Sequence, residues 1–451
     1  MSKRKVKEKD IVLEITEKVL EEIMEAGYSE SIVSINKSKT VMAKIANSQP
    51  SVIQDWDEVT VSMYLAKDKR IAVVNFETSS IEESVKLAKK MISEISIIEE
   101  SEYYTPIPKP KPAYVPFTVH RSILKAFEEP EKIIDNALSV AFTYDVDKVA
   151  GMLEITMGIR SLASSTGASL VEEYGTYEYY IRVFKGEGSG QWSSSGRIFR
   201  EENIAEATRI AAEYAVESSK PESIEPGVYD VILSPMVMGN LLNVIGRMAS
   251  ALNVDMGFSI FTGRKIGEKV FSEKITLADD PINPESYGAI SFDAEGLPTR
   301  RNVIIENGTL KTLLHNSKTA AKHGVESTSN AGLISPHPWS LELKPGTYTL
   351  EELISEVKNG ILVTNNWYTR LQNYIEGSFS TITRDALFLI KDGRIVKAAK
   401  KLRITDKLPR IFKNVHELSN KLYQIKWWEV EIPTFTPYVL IRNVHTTKHM
   451  L

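Results

Sequence analysis

Metal-dependent hydrolysis needs at least three side chains drawn from His, Cys, Asp and Glu converging on one point. The chain has seven histidines from which such a set could start. His416-Glu417 is its one His-Glu pair. On a helix that pair would need a second histidine at 420 or 421, and those places hold Asn420 and Lys421. It therefore reads as a surface or helix-end pair. His445 and His449 stand four apart and would share a helical face, but Thr446-Thr447 disfavours a helix there. The absence of cysteine removes disulfides, thiolate metal sites and a cysteine nucleophile together. Gly-x-Ser-x-Gly is absent too, and no local pattern groups Ser, His and Asp.

Three further stretches have chemistry to offer. Gly186-Glu187-Gly188-Ser189-Gly190 lacks the Lys-Ser/Thr and following helix of a phosphate loop, so it reads as a hairpin turn. Phe292 to Arg301 sets Asp293 and Glu295 around Gly296-Leu297-Pro298, with Arg300 and Arg301 behind. Paired carboxylates can do acid–base work, but neighbouring arginines neutralise them more simply, so an ion-pair network is the expectation. Asn365-Asn366-Trp367-Tyr368-Thr369-Arg370 precedes Gly377-Ser378-Phe379-Ser380. Trp367, Tyr368 and Arg370 suit a peptide or partner surface, and equally the aromatics suit a core. Trp427-Trp428 reads as core or interface.

Apolar spacing and punctuation predict the elements that carry these residues. A helix over 10–26 is followed by strands at 31–36, 40–47, 59–66 and 70–76. Ser80 and Glu83 form a capping box for a helix over 81–95. Five prolines between 105 and 116 make an extended connector, or else a segment for a proline-reading module. Next come a helix over 130–142 and strands at 148–154, 156–163, 169–173 and 177–184, with Gly175 as a break. A helix over 201–218 closes the half, and Pro221, Pro226 and Gly227 mark a boundary. Beyond it, strands are expected at 228–233, 287–292, 302–306, 309–314, 386–391, 394–399 and 438–443. Helices are expected at 317–323, 349–358 and 408–414. The fold class is α+β in two domains. Residues 1–220 form antiparallel sheets with covering helices, and residues 221–451 a mainly β domain with a buried helix.

That buried helix covers 233–248. Ser234 is a good N-cap, Pro235 fits the first turn, and Val237, Leu241, Val244, Ile245 and Met248 recur at helical spacing. Together with Phe292–Arg301, Ile304–Leu310 and Glu326–Ala331, it resembles the TldD/PmbA family, also called modulators of DNA gyrase or U62-type peptidases. In the family's TldD branch this helix carries Leu-Leu-His-Glu-x-x-x-His, which binds a catalytic metal. Aligned on Leu241-Leu242, the metal-binding positions fall on Asn243, Val244 and Met248. All three are changed, as in the PmbA (TldE) branch. The resemblance also makes the Phe292–Arg301 segment part of the family's structural centre, and places a glycine-rich loop where Trp367, Tyr368 and Arg370 stand.

A formal net charge of -4 gives no electrostatic case for direct nucleic-acid or anionic-membrane binding. No apolar run reaches the roughly 18 residues of a membrane span. The basic start over 1–10 lacks a signal-peptide core. A cytoplasmic protein without a bound cofactor is the expectation. The resemblance implies a metal-free subunit that pairs with a TldD-like, metal-bearing partner to degrade unfolded peptides. Two alternatives stand beside it. One is an active peptidase with ligands from outside the motif, and the other is a homodimeric peptide-binding protein.

Overall fold

The computed structural model describes residues 7–95, 99–111 and 114–449. Part of the basic start (residues 1–6) and Pro112 lie outside them. The first sheet has six antiparallel strands, ordered Arg70–Thr78, Gln49–Lys67, Glu30–Ala46, Lys148–Ser164, Ser169–Lys185 and Gly188–Gly196. Several are longer than the sequence pattern predicts. The expected strands at 31–36 and 40–47 are one, because Asn36 through Thr40 stay in register with neighbours on both sides. Two partner strands satisfy the backbone there, so the polar run Asn36-Lys37-Ser38-Lys39 needs no turn. Residues 148–154 and 156–163 likewise merge. Gly175 does not break its strand; it lies opposite Met157 inside Ser169–Lys185. A Cβ there would stand 2.8 Å from Val119 and 3.0 Å from Ile123. The glycine thus lets the helix Arg121–Glu128, not read from sequence, close onto the sheet.

Helices cover this sheet in two groups. Glu8–Glu25 buries Val12, Val19 and Ile23 against Val33, Ile35 and Met63, with Glu83–Glu94 alongside. The Ser80–Glu83 box is half formed: Ser80 Oγ accepts the Glu83 N–H, while the Glu83 carboxylate takes the Ser79 and Thr78 hydroxyls. Pro130–Ala141 and Glu201–Glu217 pack with Tyr179, Ile181 and Trp192. The proline-rich segment runs as a connector, with Ile107 buried, its N–H on Glu30, and the Pro108 carbonyl accepting from Thr166.

The later half is β-rich. One sheet runs Thr309–Leu310, Asn302–Glu306, Leu277–Asp279, Leu341–Leu343, Val430–Thr436, Tyr423–Trp427. In the other, Asn359–Asn373, Val228–Leu233, Val439–Lys448, Leu402–Lys407 and Ser378–Lys391 pair in turn, and the last pairs back with the first to close a barrel. The α+β class read from sequence is the class observed. Residues 287–292 make no strand, only a bridge between Phe292 and Pro298, and the expected strand 309–314 ends at Leu310. One core joins the halves: Trp192 and Tyr214 pack with Phe388 and Tyr438, and the Tyr214 and Tyr438 hydroxyls lie 2.7 Å apart. No helix among the described residues is long and apolar enough to cross a membrane.

Candidate functional site

The strand Val228–Leu233 runs into the helix Pro235–Met248, and Ser234 Oγ accepts the Val237 N–H as its cap. All residues of the helix except Val244 and Arg247 are buried. Asn243 Nδ2 donates to the Ile432 carbonyl and to Thr434 Oγ1, each at 2.9 Å, and its Oδ1 accepts the Ile432 N–H at 2.8 Å. The amide therefore acts as a strand neighbour to Val430–Thr436. Val244 and Met248 belong to the apolar core beside it. An amide closed in this way, a valine and a buried thioether are not a zinc ligand set. Among the described residues no group of three His, Cys, Asp or Glu is placed to hold a metal. The residues do not fit the metal that the motif would carry.

One turn earlier, Asn240 ties the helix to the barrel. Its Nδ2 donates to the Glu429 carbonyl, and its Oδ1 accepts from Asn366 Nδ2 at 3.1 Å and Thr369 Oγ1 at 2.6 Å. Thr381 joins the same network. Residues 365–370, taken from sequence as a loop, are instead within the strand Asn359–Asn373. The ladder slips between Trp367 and Arg370, so Tyr368 and Thr369 together oppose Thr381. Tyr368 takes φ +62 at this bulge, a left-handed conformation rare for a bulky residue. Thr369 turns inward to the network, which throws Tyr368 outward to 50% exposure.

The result is an exposed aromatic and cationic patch. Trp367, half-buried, stacks on Tyr368 at 5.9 Å and meets Trp428 edge-on at 6.1 Å. Arg370 lies 4.1 Å over Tyr368, and Arg384 4.5 Å over Trp367. Trp427 is core, whereas Trp428 is 61% exposed.

The Phe292–Arg301 network differs from expectation. Asp293 is fully buried and accepts the N–H groups of Glu295, Leu297 and Ala331. Gly296 at φ +76 makes this tight turn possible. Glu295 accepts from the Ser317 backbone and hydroxyl. Burial raises both carboxyls, and Glu295 raises Asp293 further. The arginines go elsewhere: Arg300 to the Ser327 carbonyl, Arg301 to Asp280 and Glu342. Asp293 and Glu295 thus sit in a hydrogen-bonded backbone knot, and the ion pairs of the segment are those of Arg301 with carboxylates outside it. Neither histidine pair joins a group of three possible metal ligands among the described residues. His416 faces Glu356 at 4.0 Å, Glu417 pairs with Lys274, His445 lies in a strand near Asp406, and the His449 N–H bonds Lys401.

Two models of one metallopeptidase family match this chain. The PmbA/TldA metallopeptidase C-terminal domain covers residues 226–448, and domain 1 covers residues 33–92. The chain belongs to the PmbA/TldD family. A metalloprotease of Methanothermobacter thermautotrophicus is 29% identical over 61% of this chain and 64% of its own length. One from Methanocaldococcus jannaschii is 32% identical over 40% of this chain and 41% of its own. The chain thus matches less than two thirds of either relative's length. TldE from Thermococcus kodakarensis has the same fold, with a TM-score of 0.82 at 22% identity, over 96% of this chain and 100% of that one.

Within this family member, sequence reading missed the residues that structure brings together over long separations. Asn240, Thr369 and Thr381 look like ordinary polar positions until the bulge juxtaposes them. Arg160 and Glu172 do carry a signal, because they face each other across a hairpin. Opposite charges directly across two paired strands favour an ion pair.

Proposed function

We propose that this chain is the metal-free, PmbA/TldE-like member of a two-subunit, cytoplasmic peptidase whose partner carries the metal. The observation that carries this reading is the helix Pro235–Met248, where Asn243, Val244 and Met248 occupy the motif's metal-binding positions and the Asn243 amide is bonded to strand backbone. Without a metal-bound water or an activated nucleophile, the chain alone has no attacking group. Its role is then to shape the shared cavity and hold unfolded peptide. Trp367, Tyr368 and Arg370, with Trp428 beside them, are the contact surface for that peptide, since aromatic faces and a guanidinium grip extended chains with little sequence preference. That relatives are named metalloproteases supports the peptidase setting.

The test is hydrolysis of an unstructured peptide by the chain alone, by a histidine-bearing relative alone, and by both. The expected result is background cleavage by this chain and full cleavage only by the pair. Turnover by this chain alone that survives repurification and disappears on a point change within it would overturn the reading.

A further inference from the structure

A cavity of about 530 Å³ opens between the first sheet and the strand Val430–Thr436, within the range that takes a small ligand. Its charged floor comes from three separate segments: Arg160, Glu172 and Arg197. Glu172 is already occupied. One oxygen takes Arg160 at 2.7 Å and the other accepts the Ser291 N–H at 3.0 Å. Arg160 also donates to the Phe292 carbonyl, and its buried Nε has no acceptor among the described residues.

Arg197 must share Glu172 with Arg160, and its guanidinium lies 4.6 Å over the Phe117 ring. It is 97% buried by its 3% exposure, yet its N–H groups reach only the Ala289 and Thr118 carbonyls, both at a long 3.3 Å. Burial lowers it to about 10, so it remains a cation at neutral pH. Arg247 at the rim is matched by Glu431, and burial keeps His337 neutral at that pH. Asp293, which acts on Arg160 from outside the lining, is taken up by the N–H groups of Glu295, Leu297 and Ala331. The lining therefore holds three guanidiniums against two carboxylates. Two buried guanidiniums that share one carboxylate are costly unless a further anion balances them. One surplus charge fits a monoanion; a phosphate dianion would leave negative charge beside Glu172 and Glu431. Above the floor the walls are Ile290, Pro338, Trp339, Ile432 and Pro433, which suit an apolar neck.

We propose that this cavity binds the C-terminal carboxylate of a peptide ending in an apolar residue, with Arg197 as its counter-ion. The planar fork of a guanidinium matches a carboxylate in two parallel hydrogen bonds. The site uses only this chain's residues and goes beyond the subunit reading, so its test does not depend on hydrolysis.

The experiment is calorimetric titration of the full chain with N-acetylated Ala-Ala-Leu as the free acid and as the amide, with N-acetylleucine and inorganic phosphate as further arms. The free acid should bind at least about tenfold more tightly than the amide, because the amide leaves Arg197 unmatched. Arg197→Met should erase that preference and Arg197→Lys should keep part of it, in variants that stay folded with a lowered melting temperature. If either variant fails to fold, the acid–amide comparison on the unaltered chain still decides. Equal binding of acid and amide, binding of neither, or displacement of the peptide by equimolar phosphate would overturn the proposal. So would N-acetylleucine binding as tightly as the tripeptide.

Discussion

The helix Pro235–Met248 and the bulged part of the strand Asn359–Asn373 meet at Asn240, yet they leave their functional groups in opposite states. On the helix, every polar side chain that turns inward is bonded to backbone or to a neighbour: Asn240 to Glu429, Asn243 to Ile432 and Thr434. On the strand, Tyr368, Arg370 and the adjacent Trp428 keep their aromatic faces and charge toward solvent. A group whose hydrogen bonds are closed within the fold specifies structure; one held in place but unsatisfied is free to contact something else. The difference supports the proposed division of roles, scaffold at the helix and peptide contact at the bulge.

Four changes would break or sharpen that contrast. Leu241→Ala, in the middle of the helix, should cost about 2–5 kcal/mol in chemical denaturation, as a large-to-small change in a packed core does. Asn243→Leu fills similar space but orphans the Ile432 N–H, while the Ile432 carbonyl keeps the Thr434 hydroxyl, at about 1–3 kcal/mol for the group left unsatisfied. A neutral outcome there would mean that Asn243 is not structural. Asn240→Ala should cost roughly 1–3 kcal/mol by the same principle and also free Thr369, so the emission of Trp367 should shift with it. Trp367→Ala combined with Arg370→Ala should move stability by only about 1 kcal/mol or less while lowering peptide hydrolysis by the assembled pair. A loss of roughly 3–5 kcal/mol would instead place the tryptophan in the core.

Much of the framework is legible in the sequence because it rests on local signals. Ser234-Pro235 starts the buried helix, and the helices expected at 317–323 and 349–358 are found as Ser317–His323 and the shorter Leu350–Ser355. Strand lengths were less legible. Asn36 to Lys39 and Gly175 look like breaks only when the two flanking strands, which satisfy their backbone, are out of sight. The bulge at Tyr368 has no local signature, since it follows from Thr369 reaching Asn240 across 129 positions. The burial of Asp293 was hidden for a related reason. A carboxylate beside two arginines looks neutralised, but here the backbone of its own turn bonds it and the arginines face outward.

Metal content tests most directly whether this chain carries a catalytic metal. Elemental analysis of the purified chain after mild chelation should find well under about 0.1 zinc per chain, because Asn243, Val244 and Met248 supply no ligand set. Close to one zinc retained per chain would contradict the assignment of this helix as scaffold and return the chain to the catalytic subunits of its family.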